Sequence, residues 1–211
     1  MTELIDISPL VSARIGVWPG DHAFRRVMQL DIEKGDHIGL SRIETTTHLG
    51  AHADAPNHYR AGQPGIAERD LSYYFGDCQV VPVELPRGRR IGREHVRAEI
   101  TAPRVLFRTL SFPDPEHWNP DFCSLSAGLV HWLFDQGVRL VGIDTPSIDL
   151  QDDPLLESHQ AVADHDMAIL EGLVLEHVPP GRYTLIALPL RLENADASPV
   201  RAALLTANVM K

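Results

Sequence analysis

Residues 126–144 read Ser-Ala-Gly-Leu-Val-His-Trp-Leu-Phe-Asp-Gln-Gly-Val-Arg-Leu-Val-Gly-Ile-Asp. Ser126 offers a hydroxyl to cap a helix N-terminus, apolar residues follow at helical spacing as far as Gln136, and Gly137 supplies the stop. Residues 139–144 (RLVGID) are then a short apolar run of strand length, of the kind that lies buried within a sheet. Helix, glycine stop and buried strand in succession predict an α/β layer.

The neighbouring sequence extends that layer. Upstream, residues 104–109 (RVLFRT) and 80–85 are apolar strands, and residues 92–99 form a brief helix. Downstream, a second helix starts near Ser158, and residues 183–190 (YTLIALPL) form a late strand. Towards the N-terminus, residues 3–11 (ELIDISPLV) alternate as a strand closed by Pro9. Residues 24–33 and 40–47 are rich in β-branched residues and flank a Gly-Asp turn, which predicts antiparallel strands. Val17-Trp18-Pro19-Gly20-Asp21 is a turn signature with an exposed aromatic. Repeats, low-complexity stretches and linkers are absent from the sequence. Residues 1–211 are therefore read as one mixed α/β domain, β-rich in its N-terminal half.

Composition narrows the partners. The formal net charge is −10, from 29 acidic and 19 basic residues. The nearest thing to a basic run, PRGRRIGR at residues 86–93, reads as a solvated turn, so nucleic acid is not an expected partner. Cys78 and Cys123 stand beside apolar or aromatic neighbours and read as buried thiols, not a disulfide framework. The first residues lack a basic segment and a long apolar core, so no signal peptide is expected. No apolar run approaches the roughly 18 residues of a membrane span. A cytoplasmic protein that does not engage membranes is the expectation.

Eleven histidines are the unusual feature, and three fall within His48-Leu-Gly-Ala-His52-Ala-Asp54-Ala-Pro-Asn-His58. Imidazole and carboxylate are ligands that zinc accepts. A flat strand would put all four polar residues on one face but part positions 48 and 52 by roughly 13 Å, too far to share an ion. Gly50 and Pro56 oppose a helix. The segment must therefore coil, with Gly50 giving the freedom to do so.

The segment resembles the His-x-Gly-(Thr/Ala)-His-x-Asp-x-Pro-x-His signature of the cyclase superfamily. Its Gly-Ala-His-Ala-Asp form is similar to that of the bacterial kynurenine formamidase (arylformamidase) branch. Further blocks follow the same order: residues 5–10 (IDISPL), Trp18-Pro19-Gly20-Asp21, residues 142–149 (GIDTPSID), Ser158-His159 and Ile169-Leu170-Glu171. The resemblance implies a swivelling β/β/α fold and a homodimer with shared pocket walls. It implies two zinc ions per subunit, one held by His48, His52 and Asp54. Asp54 and Glu171 would bridge to the second, bound also by His159. His58 would be the general acid/base, and Trp18 would contact an aromatic substrate. Trp18 could equally plug the core on sequence grounds alone. Asp144 and Ser147 are candidates to support the ligating histidines, although Asp144 could equally be a strand-end turn residue. Tyr59 and Arg60 are either solvated loop residues or neighbours of the substrate. His22, His37, His95, His117, His131, His165 and His177 match no motif and receive no role.

One physical condition follows. A continuous helix from His159 to Glu171 would part them by about 18 Å, whereas two metals sharing ligands lie only about 3.5–4 Å apart. The helix must break before Glu171, near residues 164–166, where no glycine is available. The activity implied is hydrolysis of N-formyl-L-kynurenine to L-kynurenine and formate by zinc-activated water, with His58 protonating the arylamine. The alternatives are a manganese-dependent amidase of the isatin hydrolase kind and a non-catalytic metal- or ligand-binding module. The module would be expected to lose His58 or a bridging carboxylate, and here all are present.

Overall fold

Four apolar runs, residues 78–81, 105–107, 140–143 and 168–170, form the centre of a nine-stranded sheet in the computed structural model, which describes residues 3–206. In chain order the strands are β1 (Leu4–Asp6), β2 (Arg25–Leu30), β3 (Leu40–Glu44), β4 (His52–Asp54), β5 (Phe75–Pro82), β6 (Arg90–Ile91) and β7 (Arg104–Arg108). They continue as β8 (Ser124–Leu125), β9 (Leu140–Ile143), β10 (Ala168–Glu171), β11 (Gly181–Ile186), β12 (Ala197–Pro199) and β13 (Ala203–Thr206). The α-helices are α1 (Pro56–Tyr59), α2 (Ala127–Asp135) and α3 (Glu157–Asp164). The large sheet has the order β1-β13-β11-β5-β7-β9-β10-β4-β12. Strands β5, β7, β9 and β10 are mutually parallel, and the flanking strands are antiparallel.

The parallel strands bury both faces, which is why their sequences are apolar without alternation. Val81, Val105, Phe107, Val141, Ile143 and Ile169 face α2 and α3, packing on Leu129, Val130, Leu133, Ala161 and Val162. The intervening residues, among them Val80, Leu106, Leu140 and Leu170, face the other way. There they share one cluster with Ala53 of β4, Leu185 of β11 and Leu204 of β13. Strands near opposite ends of the order meet in that cluster, so the sheet curls around it. The fold is mixed α/β.

Local chemistry sets the element ends. Ser126 caps α2 by accepting the Leu129 N–H, and Gly137 stops it at φ +85°. The N-terminal strand is shorter than residues 3–11, because the Asp6 carboxylate takes the Ser8 N–H at 3.1 Å and turns the chain. Residues 92–99 give only a 3-10 turn, Arg93–His95, since Val96 is extended and buried in the core. The late strand spans Gly181–Ile186 and ends before Pro189, which has no N–H to donate. Strands β2 and β3 pair antiparallel, joined through a 3-10 turn at Ile32–Lys34 capped by Asp31. This hairpin contains no buried residue. Residues 86–93 are not only a turn: they contain β6, and Arg90 pairs with Asp149 and Asp153. Both cysteines are free and buried. No helix among the described residues is long and apolar enough to cross a membrane.

Gly50 and Gly172, at φ +55° and +64°, lie back to back. A Cβ on Gly172 would stand 2.0 Å from the Gly50 carbonyl oxygen. Gly172→Ala is therefore expected to lower the thermal unfolding midpoint by roughly 4–8 °C, about 2 kcal/mol. Gly20→Ala, also at positive φ but with nothing within 4 Å, should lose only the backbone part, about 1 kcal/mol. Equal midpoints for the two variants in calorimetry would show that the close approach has no bearing on stability.

Candidate metal centre

The coil forced by residues 48–58 resolves into a bend at 48–51, strand β4 and the one-turn helix α1. In β4 the two-residue period sends His52 and Asp54 to one side and Ala53 into the core. Strand β10 pairs antiparallel with β4, setting Glu171 opposite His52 and Ile169 opposite Asp54. Opposed residues of such a pair have Cβ atoms about 4.5–5.5 Å apart. Glu171 is thereby delivered from 119 residues away.

His159 arrives from α3, which ends at Asp164 as the spacing argument requires. Asp166, at φ +48°, takes the left-handed position that glycine would otherwise fill. Its carboxylate accepts from Tyr73 Oη at 3.0 Å and pairs with Arg69, which holds the turn.

The converged distances are short. His52 Nε2 lies 3.2 Å from Glu171 Oε2 and 3.5 Å from Asp54 Oδ1. His159 Nε2 lies 3.3 Å from Asp54 Oδ2 and 3.5 Å from Glu171 Oε1. His48 Nδ1 lies 3.0 Å from Asp54 Oδ1. Each carboxylate thus stands between His52 and His159. His52, Asp54, His159 and Glu171 are all buried.

Their outer nitrogens are fixed by acceptors. His52 Nδ1 donates to the Gly50 carbonyl at 2.8 Å, and His159 Nδ1 meets Asp149 Oδ2 at 2.8 Å. Both rings therefore turn Nε2 inward, the geometry in which a ligating histidine is held by a second partner. Asp149 also accepts the backbone N–H groups of Ser158 and His159, seating the start of α3. Asp149 belongs to the GIDTPSID block but was not singled out from sequence. Asp196, 148 residues after His48 and without any local signal, meets His48 Nε2 at 3.1 Å.

The imidazoles and carboxylates act on one another electrostatically. Burial alone would raise the Asp54 carboxyl, but the charges of His48 and His52 and the hydrogen bond of His159 hold it well below the usual range. Glu171, raised by burial and by Asp54, is brought below its ordinary value by His159 and His52. Reciprocally, burial lowers His48, yet Asp54 and Asp196 outweigh it and bring the imidazole up to about 9. His159 is carried well above its ordinary value in the same way. Two buried atoms, His52 Nε2 and Asp54 Oδ1, have ionisable neighbours at 3.0–3.5 Å yet make no hydrogen bond of acceptable angle. An unsatisfied buried polar group costs about 1–3 kcal/mol, and a cation between this pair would remove that cost. His52, Asp54 and Glu171 form one group with ligand atoms near enough to share an ion, and His48, Asp54 and His58 form another. The donors, imidazole and carboxylate without thiolate, suit zinc or manganese.

The centre forms the floor of a cavity of about 520 Å³. His58 lines it from α1, partly exposed. Trp18 lines it from the opposite loop, 36% exposed and not plugging the core. Its ring stands edge-on to Trp118 at 5.3 Å between centroids, and Phe112 adjoins Trp118 at 5.6 Å. Trp118 and Phe112 line the same wall and were not picked out from sequence.

Tyr59 is buried against the His159 ring at 5.2 Å. Arg60 reaches Gln160 and Asp164, and Gln160 donates to the Tyr59 carbonyl, bolting α1 to α3. Asp144 and Ser147 do not support the histidines. Asp144 accepts from Thr109 and the Leu110 N–H, which makes it a turn anchor, and Ser147 Oγ accepts the Asp149 N–H. The role expected of them falls to Asp149 and Asp196, because their own loops direct their side chains elsewhere.

The chain is similar in family and fold to known proteins. Residues 5–150 match the Cyclase family model, described as "Putative cyclase". A solved structure described as a potential metal-dependent hydrolase with cyclase activity is 26% identical, with a TM-score of 0.84 over 97% of this chain and 98% of that one. A predicted metal-dependent hydrolase from Bacillus stearothermophilus is 25% identical, with a TM-score of 0.81 over 97% and 98%. Isatin hydrolase A from Labrenzia aggregata has the same fold at 20% identity, with a TM-score of 0.79 over 97% and 93%.

Proton and cation compete for the same carboxylates, which fixes a pH dependence. In metal-free protein the raised His48 contributes stability that is full below its ordinary value of 6.5 and is lost as pH rises through about 9. The unfolding midpoint of chelated protein is expected to fall across that window, while affinity for Zn²⁺ rises by about tenfold per unit for each proton displaced. Affinity independent of pH in calorimetric titrations would contradict the competition.

Proposed function

Because the chain belongs to the Cyclase family, we propose that it is a metal-dependent amide hydrolase that converts N-formyl-L-kynurenine to L-kynurenine and formate. The observation that carries this reading is the buried group His52, Asp54 and Glu171, whose ligand atoms lie near enough to share an ion, beside a cavity with an aromatic wall. His48, His52 and Asp54 would hold one divalent cation and His159 a second, with Asp54 and Glu171 serving both. Zinc is the first choice and manganese the next. The two relatives described as metal-dependent hydrolases support the reaction class. When bound, such cations acidify a water molecule and polarise an amide carbonyl.

The chain's own groups supply the rest. Trp18, Trp118 and Phe112 offer ring faces to an aryl amide. An arylamine leaves poorly as an anion and needs a proton at nitrogen. Burial, with the charges of His48 and His159, keeps the His58 imidazole below its ordinary value despite Asp54 and Glu171. Its neutral form is thereby favoured, and neutral His58 can accept a proton from the nucleophile and hand it to that nitrogen. The Gly-Ala-His-Ala-Asp form of the signature supports a formamide over a cyclic amide such as isatin.

Chelator-stripped protein is expected to lack formamidase activity, to regain it with zinc, and to prefer N-formylkynurenine to isatin. Turnover of isatin alone would move the chain to cyclic amides. His58→Ala should keep its metal and lose about 10²–10⁴-fold in kcat. A metal-replete variant with wild-type turnover would remove His58 from the mechanism.

We also propose a homodimer joined through the β2–β3 hairpin. An isolated two-stranded hairpin is marginal in water, and here Met28, Ile32, Ile38, Leu40 and Ile43 are all exposed. A second copy of the chain would cover these apolar side chains and give the arm the packing it lacks within one subunit. Wild-type protein should sediment as a dimer and the Met28→Asp, Ile43→Asp double variant as a monomer. A wild-type monomer at micromolar concentration would dismiss the arm as the joint.

A further inference from the structure

Asp196 stands at the entry to β12, where two independent contacts fix it. Its carbonyl accepts the Ala55 N–H at 2.8 Å, just before α1, and its Oδ1 accepts from Thr47 Oγ1 at 2.9 Å. The other oxygen, Oδ2, faces two imidazoles. His48 Nε2 lies 3.1 Å away and His58 Nδ1 lies 3.7 Å away, with the two rings 4.2 Å apart between centroids. Among the described residues Asp196 is the single carboxylate within 4.0 Å of His58, whose ring makes no hydrogen bond.

An imidazole that moves protons through one nitrogen needs the other held, or its tautomer and plane drift. We propose that Asp196 is the positioning residue of His58, its Oδ2 accepting from Nδ1–H and leaving Nε2 free to work in the cavity. The present 3.7 Å separation is longer than a hydrogen bond, and a movement of under about 1 Å closes it. Such bonds commonly tighten only once substrate is bound. The same carboxylate steadies His48, so one side chain couples the ligand set to the proton-moving group. The proposal rests on the role given to His58 above, and the test separates the two.

Zinc-loaded, ¹⁵N-histidine-labelled full-length protein is compared with Asp196→Asn at saturating zinc, with metal content checked. NMR is expected to find the wild-type His58 protonated on Nδ1 and the variant shifted towards Nε2–H. Turnover of N-formylkynurenine should fall by about 10–10²-fold in kcat with KM little changed. No further loss should appear when Asp196→Asn is added to His58→Ala. An unchanged His58 tautomer would overturn the proposal. So would an equal loss in the presence and absence of His58, which would put Asp196 to work on His48 alone. If His58→Ala by itself leaves kcat intact, it is the proton-transfer role of His58 that fails, and the tautomer still decides whether Asp196 holds the ring.

Discussion

Asp54 and Glu171 are two carboxylates buried side by side, at 2% and 3% exposure. Charges removed from water and set next to a like charge are tolerated only if positive charge or close hydrogen-bond donors surround them. Here His48, His52 and His159 surround them, and each is in turn turned or steadied by a group farther out: Asp196, the Gly50 carbonyl and Asp149 respectively. Much of the local structure answers this one demand. Gly50 and Gly172 must approach backbone to backbone for β4 and β10 to pair in the required register, and α3 must end where it does for His159 to face the same point.

The arrangement divides rigid from adaptable parts. His52 and Asp54 sit on strand β4, Glu171 on strand β10 and His159 in the first turn of α3, where backbone hydrogen bonds and the core fix them, while His48 sits in the bend before β4. His58, Asp196 and Trp18 sit at the rim, partly exposed. The bonds from Arg60 to Gln160 and Asp164, and from Gln160 to the Tyr59 carbonyl, tie α1 to α3.

The parallel core was legible because both-face burial leaves uninterrupted apolar runs, and α2 because a serine cap and a glycine stop bracket a helical pattern. Ends were harder. The N-terminal strand stops early through an Asp6 side-chain bond, and the stretch 92–99 stays a single turn because the core claims Val96. Neither effect has a periodic signature. The HLGAHADAPNH segment offered metal-binding residue types, its individual ligand roles came from the resemblance to the cyclase signature, and the need for a helix break after His159 followed from helix geometry.

Chain order could not show which remote groups face those ligands. Asp149 and Asp196 are ordinary aspartates in sequence, and they matter because a loop and a sheet edge bring their carboxylates to His159 and His48. Asp144 and Ser147, nearer the expected motif, point to Thr109 and to Asp149 instead. Trp118 and Phe112 join the cavity wall only because the loop from 110 to 122 folds back over Trp18. Local sequence carries the periods, caps and ligand types, since these depend on neighbours a few residues away. The Gly50 carbonyl that orients His52 is two residues away, but Asp149 and Asp196 lie 10 and 148 residues from His159 and His48, and only the tertiary fold sets them in place.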